Sequence, residues 1–385
     1  MCGILCLIGD INFNLLKLIQ HRGQDSYGIS FFSIDKLHRH IVSGLISDVI
    51  LDIFQDTIDT LSVHNNEPKY ILGHTRYTTS GSISSSMQRQ PTNSHVLLKD
   101  ELIEYTLVYN GNIKVELLKN LLYDLNPDEY FGPDTNDTEL IVKIINSLNL
   151  SDWPKLLNTF MKLIPGVYSI IIGTRTHIYT LRDKYGIRPL CICKKKDSNT
   201  YCILSETTHI QSYDYELERD VMPGDIIEYD IANGIWTTIN EVPSNTVTHT
   251  CLFEYIYFLS KNSTTDSVKV SNFRYNCGIQ LAEQDTIFNT SNSNKFPKIN
   301  HSDIIVVGAP ETGITAALGY SEKLQLIYHQ VIVKNSDKGR TFILKDNSKR
   351  IKACEDKYIY KDQFIKNKII IIVDDSLVRG NTIKS

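Results

Sequence analysis

Two hydrophobic rhythms divide this chain of 385 residues, and each permits a different kind of sheet. In the first half, short β-like runs alternate with turn signals, at 3–8, 70–74, 107–109, 168–172, 177–181, 202–205 and 225–229. Helix-like periodicity interrupts them at 116–125 and 138–148. That pattern predicts sheets covered by a few helices. In the second half, the runs at 303–308, 326–333 and 368–373 are mainly apolar without alternation, and a helix-like 316–324 follows the first. Such runs predict parallel strands buried between helices. The polar stretch EVPSNTVTHT at 241–250 marks the seam, giving one domain over 2–240 and a second over 251–385. The stretch NTSNSNKFPKIN at 289–300 reads as a surface loop.

Composition narrows the function classes. Lys+Arg 40 against Asp+Glu 44 leaves a net charge of −4, so bulk charge implies no nucleic-acid partner. No segment approaches the ~18 apolar residues of a membrane span. The N-terminus lacks the basic n-region of a signal peptide. A cytoplasmic protein with no membrane attachment is expected. The eight cysteines are scattered with no CxxC pair, which fits a reducing compartment. Cys191 and Cys193 lie two apart in an apparent strand and share a face, as packing residues do.

Cys2 is different. Excision of Met1 would place a thiol and a free α-amine on one residue. The thiolate is a nucleophile, and an amine with an unperturbed pKa near ~7.7–8.0 can take its proton. The alternative is an early residue of a buried strand. Four polar motifs between the strands bear on this choice: HRGQDSYGI at 21–29, GHTRYTTSGS at 73–82, YNGNI at 109–113 and DTNDTE at 134–139. Read singly, Asn110-Gly111 is a hairpin turn, and Arg76 and Asp137 are surface charges. His21 and His74 invite a triad with Cys2, but a terminal amine already fills the role of base, so they read as structural.

Together with the N-terminal Cys-Gly, these motifs resemble the glutaminase domain of N-terminal-nucleophile (Ntn) amidotransferases, over nearly the whole first half. The resemblance implies that Cys2 attacks the carboxamide of glutamine. The side-chain amide of Asn110 and the backbone N–H of Gly111 would then form the oxyanion hole. It also implies that Arg76 holds the substrate carboxylate and Asp137 its ammonium, with Arg22 and Tyr77 lining or gating the pocket. LRDKYGIRPL at 181–190, Ser205-Glu206 and Pro223-Gly224-Asp225 match further segments of that family and read as structural, with Arg188 near the domain interface.

In the second half, IIIIVDDSLVRGNTIK ends at Lys384 and delivers two adjacent acids from a strand into a Ser/Gly/Thr turn. It resembles the binding loop of type I phosphoribosyltransferases; a response-regulator or Walker-B-like acid pair is the main confounder. Carboxylates at Asp374 and Asp375 can accept from ribose hydroxyls and suit Mg²⁺. Arg379, Gly380 and Thr382 would offer N–H groups and a hydroxyl to a 5-phosphate. GAPETG at 308–313 and VKNSDKGRTFI at 333–343 match other segments of that family. Thr312 thereby becomes a Mg²⁺-site residue, and Lys334, Lys338 and Arg340 phosphate contacts on a mobile loop. CLFEYIYF at 251–258 resembles the start of such a domain.

The expected architecture is therefore an α+β Ntn glutaminase sandwich followed by an α/β type I phosphoribosyltransferase domain. In this order the two imply an enzyme that takes ammonia from glutamine to C1 of 5-phosphoribosyl-1-diphosphate (PRPP). The product would be 5-phosphoribosylamine, the first committed step of de novo purine synthesis. Mg²⁺ would be the cofactor, with no iron–sulfur cluster, in a homo-oligomer. The chain departs from the pattern in two ways: it stops at Ser385, soon after the acid pair, and its loop has Ser336-Asp337-Lys338 where an arginine is expected. The second domain is thus expected to be incomplete, with apolar sheet surface left uncovered. A catalytically incomplete glutaminase or PRPP-binding regulator is the alternative. A different acceptor, as in glucosamine-phosphate synthase or asparagine synthetase, has no use for the acid-pair loop.

Overall fold

The computed structural model describes residues 1–64, 66–78, 89–132, 134–164, 166–240, 249–285, 301–334, 358–360 and 364–377. The chain divides into two compact units, Met1–Cys251 with Thr264–Asp266, and Leu252–Ser263 with Ser267–Ser385.

Among the described residues up to Cys251, the first unit contains thirteen strands: β1 (Gly3–Ile8), β2 (Ser26–Phe32), β3 (Leu37–Ser43), β4 (Tyr70–Arg76), β5 (Thr92–Leu98), β6 (Glu101–Asn112), β7 (Val167–Gly173), β8 (His177–Arg182), β9 (Cys191–Lys195), β10 (Tyr201–Leu204), β11 (Tyr215–Asp220), β12 (Ile226–Asp230) and β13 (Ile235–Thr238). They form two antiparallel sheets, ordered β11-β9-β10-β1-β4-β2-β3 and β13-β12-β8-β7-β6-β5. Side-chain alternation builds three layers of core. From β1, Ile4, Cys6 and Ile8 meet Val108 of β6, Ile171 of β7 and Ile227 of β12 between the sheets. Leu5 and Leu7 point the other way, toward helices α1 (Asn14–Leu18) and α2 (Asp48–Val63). On the outside of the second sheet, Leu107 and Tyr109 pack under α3 (Val115–Leu125), α4 (Asp137–Ser147) and α5 (Trp153–Leu163).

Every residue of β1 is buried. At roughly 1.5–3 kcal/mol for each large apolar side chain, burial on both faces fixes this strand more firmly than any single hydrogen bond could. Its first residues are therefore a rigid mount for Cys2. The start of α4 is equally well specified. Asn136 and Glu139 form a reciprocal capping box, which sets Asp137 in the first helical turn.

The second unit holds a parallel sheet whose central strand β14 (Ile304–Gly308) lies between β15 (Ile327–Tyr328) and, in chain order after the hairpin strands β16 (Ile332–Lys334) and β17 (Tyr358–Tyr360), β18 (Ile369–Val373). Helices α6 (Val270–Gln284) and α7 (Gly313–Leu324) pack almost backbone to backbone. A Cβ on Gly278 would lie 1.8 Å from the Ala316 carbonyl, and one on Gly319 2.1 Å from that of Tyr275.

Two expectations need correction here. The apolar run at 326–333 is not one strand: it splits into β15 and β16, which belong to different sheets. The run at 368–373 is parallel as expected but largely not buried: among the described residues, β18 lies at an edge of its sheet. Ile369, Ile370 and Ile372 are 43%, 39% and 43% exposed. The polar stretches 241–248 and 289–300 lie outside the described residues.

Candidate active sites

The β1–β4 register pairs Gly3 with Thr75 and Ile4 with His74, so Cys2 and Arg76 come next at the same end of adjacent strands. By alternation with Ile4 and Leu72, these side chains lie on the face directed at the second sheet. The Cys2 Sγ is held by the backbone of Tyr77, 3.5 Å from its N–H donor nitrogen and 3.7 Å from its carbonyl oxygen. Burial lowers the affinity of the Arg76 guanidinium for its proton, and the charges of Cys2, Asp25 and Asp137 oppose that effect. Arg76 thus shares its surroundings with Cys2 and with the carboxylates of Asp25 and Asp137.

From the second sheet, β6 presents Asn110 on the same face as Val108. Asn110 is 1% exposed, and neither atom of its side-chain amide has a hydrogen-bond partner. Leaving a buried amide unsatisfied costs about 1–3 kcal/mol, and native folds retain such groups where they have a use. Beside it, a side chain on Gly111 would collide with the Tyr109 ring at 2.4 Å. The Tyr109 hydroxyl donates to Asp137 Oδ2 at 3.1 Å, and Tyr109 N–H donates to Gln90 Oε1 at 2.6 Å. Gly111 therefore keeps its backbone bare, while its neighbour locates Asp137. Burial and the Asp137 carboxylate push the Tyr109 phenol well up, so it stays a neutral donor.

The histidines are placed elsewhere. His21 uses Nδ1 on the Leu18 carbonyl at 3.0 Å and Nε2 on Glu206 at 2.6 Å. His74 is buried between the sheets with neither ring nitrogen in a hydrogen bond of good geometry. Burial first, and then the Arg76 charge, push its pKa down to about 3. Unfolding would restore it to near ~6.5. The folded value lies below the unfolded one, so stability is fully present above pH ~6.5 and is lost as pH falls toward 3. At 1.36 kcal/mol per unit the loss approaches about 4–5 kcal/mol. Urea unfolding at pH 7 and pH 4.5 should show a smaller acid loss in His74→Met than in the wild type.

Sequence reasoning missed Asp25, Gln90 and Glu206 as site-building residues. Asp25 Oδ2 accepts from Thr78 N–H at 2.7 Å, and Gln90 spans Tyr109 and Thr138. Asp25 sits inside a quoted motif, but nothing in the sequence marks Gln90. Arg188 reaches the sulfur of Met1.

In the second unit, Asp374 and Asp375 follow the end of β18 beside the start of α7. Gly313 makes this approach possible, since a Cβ there would lie 2.4 Å from the Val373 carbonyl. The Thr312 hydroxyl donates to Asp375, whose N–H donates to Asp374 Oδ1 at 2.8 Å. The structure thus brings together Thr312, Asp374 and Asp375. Lys334 is the last residue of β16, opposite Tyr358. Lys338, Arg340, Arg379, Gly380 and Thr382 lie outside the described residues.

Among the described residues no helix is long and apolar enough to cross a membrane. A glutamine amidotransferase domain family matches residues 75–212. The amidophosphoribosyltransferase of Synechococcus elongatus is 31% identical over 395 residues, covering 99% of this chain and 73% of that protein. That of Methanocaldococcus jannaschii is 29% identical over 403 residues, covering 99% and 79%. A solved structure of glutamine phosphoribosylpyrophosphate amidotransferase from B. subtilis, complexed with ADP and GMP, superposes with a TM-score of 0.77 at 26% identity, covering 99% of this chain and 77% of that one. The architecture is an Ntn glutaminase sandwich followed by an α/β phosphoribosyltransferase domain. With that fold, and 31% identity across nearly three quarters of a relative's length, this chain belongs to the amidophosphoribosyltransferase family.

Proposed function

We propose that the chain hydrolyses glutamine at Cys2 and passes the ammonia to C1 of PRPP, releasing pyrophosphate and forming 5-phosphoribosylamine for purine synthesis. The observation that carries this reading is the buried, unpartnered amide of Asn110, aimed at the face that bears Cys2. A preorganised donor left without a partner in the ground state suits an oxyanion that exists only during reaction. The Cys2 thiolate attacks the carboxamide carbon and the oxygen becomes an oxyanion before Asn110 and Gly111. Ammonia then leaves with a proton carried by the terminal amine, and water releases glutamate from the thioester. Arg76 and Asp137 receive the α-carboxylate and α-ammonium of glutamine.

In the second unit, Asp374 and Asp375 take the ribose hydroxyls, while Lys334, Arg340, Arg379, Gly380 and Thr382 take the phosphates. The Thr312, Asp374 and Asp375 oxygens are hard donors, which fit Mg²⁺ with few protein ligands and several substrate oxygens. When bound, Mg²⁺ neutralises charge on the leaving diphosphate. Residue roles, cofactor, homo-oligomeric assembly and cytoplasmic location all belong to this proposal. The test combines glutamine, PRPP and Mg²⁺ with purified protein and measures glutamate and pyrophosphate. Both should appear, and intact-mass analysis of the active protein should find it lighter by one methionine. Active protein retaining Met1, or no pyrophosphate with either glutamine or ammonia, would reject the reading.

A further inference from the structure

Beneath Cys2 lies a buried charged cluster that the mechanism above does not use. Arg22 and Glu206 are each 0% exposed. Glu206 Oε1 accepts from Arg22 Nη1 at 3.0 Å and faces His21 Nε2 at 2.6 Å. His21 Nδ1 faces the Leu18 carbonyl at 3.0 Å. Arg22 also donates from Nε to the main-chain carbonyl of Cys2 at 3.2 Å. One residue back, Ser205 clamps the next turn of the same strand. Its Oγ accepts from Ile4 N–H at 3.0 Å and its N–H donates to the Ile4 carbonyl at 3.1 Å.

We infer that Glu206 is a positioning residue for the nucleophile, acting through Arg22 to set the direction of the Cys2 α-amine. The inference rests on the glutaminase reading and goes beyond it. A terminal amine has no chain beyond it to orient it. The Cys2 Cα is tetrahedral, so fixing its carbonyl and its thiol leaves one direction for the nitrogen. Tyr77 fixes the thiol, and Arg22 fixes the carbonyl. While Arg22 Nε reaches that carbonyl, Glu206 holds the fork of the same guanidinium through Nη1. A pair that merely neutralised two buried charges would not place a guanidinium nitrogen on the nucleophile's own carbonyl.

The test compares wild type with Glu206→Gln, Glu206→Asp and Arg22→Lys. Glutamine hydrolysis is followed from pH 5.5 to 9, alongside the rate of Cys2 alkylation by iodoacetamide and thermal unfolding. Misaligning the amine by a fraction of an ångström should lower kcat of Glu206→Gln about 10–100-fold, with KM for glutamine nearly constant. It should also move the acid limb of kcat/KM, since the base is what moves. Glu206→Asp should recover part of the loss. Arg22→Lys keeps the charge without the planar fork and should behave like Glu206→Gln. If Glu206→Gln does not fold, Arg22→Lys decides: a folded variant with wild-type kcat and pH profile overturns the inference. So does folded Glu206→Gln with unchanged kcat and pH profile, or with a raised KM alone. Wild-type protein without glutaminase activity defeats the proposed function instead. Alkylation then reads Cys2 separately: a changed pH profile in the variants supports the positioning role, and an unchanged one rejects it.

Discussion

Cys2→Ala should abolish the use of glutamine and spare the use of ammonia. The two halves of the expected reaction meet only through ammonia, so a defect in its production is bypassed by supplying it. Loss of a covalent nucleophile removes the thioester route altogether, and glutamine-dependent turnover should fall at least about 10⁴-fold. The thiols of Cys6, Cys191 and Cys193 are not prepared to replace it. Burial pushes the thiol of Cys6 well up, and neighbouring cysteines together with burial do the same to Cys191 and Cys193. A thiol kept protonated is a poor nucleophile. Cys2 is instead only partly buried and comes next in register with Arg76 at the end of its strand. The measurement is pyrophosphate release from PRPP with glutamine and with ammonium chloride above pH 8, where more of the ammonia is unprotonated. Persistent glutamine turnover in the variant would remove Cys2 from the mechanism. Loss of both activities in a folded variant would show that the two halves are not chemically separable.

The grouping of the candidate residues in the first half was legible in sequence because these side chains sit at strand ends and on a capped helix start. There local rules apply. Asn136 and Glu139 spell a capping box, and alternation along β1 puts Cys2 on the face of Ile4 and Cys6. The three-layer core explains why so many strands alternate poorly: Leu5 and Leu7 are as buried as their neighbours. Helix α6 escaped notice for a different reason. Its buried stripe is Val270, Arg274, Gly278 and Ala282, only one of them strongly hydrophobic, so no apolar period marks it. Close packing on α7 needs small residues there, and Arg274 is accepted because its guanidinium caps the Tyr255 and Leu259 carbonyls. Glu206 was read as structural because its partners, His21 and Arg22, lie some 185 residues away in sequence. The pairing of β1 with β10 carries Glu206 to the Cys2 end of β1, where Arg22 also reaches.

Asn110→Ala should lower kcat for glutamine hydrolysis by about 10²–10³-fold, the usual cost of removing one oxyanion donor. KM should change little, because the amide meets the oxygen fully only when charge develops on it. The same substitution should leave stability nearly unchanged. The wild-type amide is buried without a partner, so truncation removes an unsatisfied polar group and leaves only a small cavity. A structural asparagine would behave in the opposite way, losing stability together with activity. Asn110→Asp sharpens the contrast. It preserves shape but replaces the N–H donor by an acceptor, which repels the oxyanion, so its activity should be no higher than that of the alanine variant. Single-turnover hydrolysis and urea unfolding on the same samples separate these cases. If Asn110→Ala keeps kcat within a few-fold of wild type, the oxyanion is stabilised elsewhere and the unsatisfied amide has another purpose. If stability falls by several kcal/mol instead, the amide is bound in solution to a group that holds the sheets together.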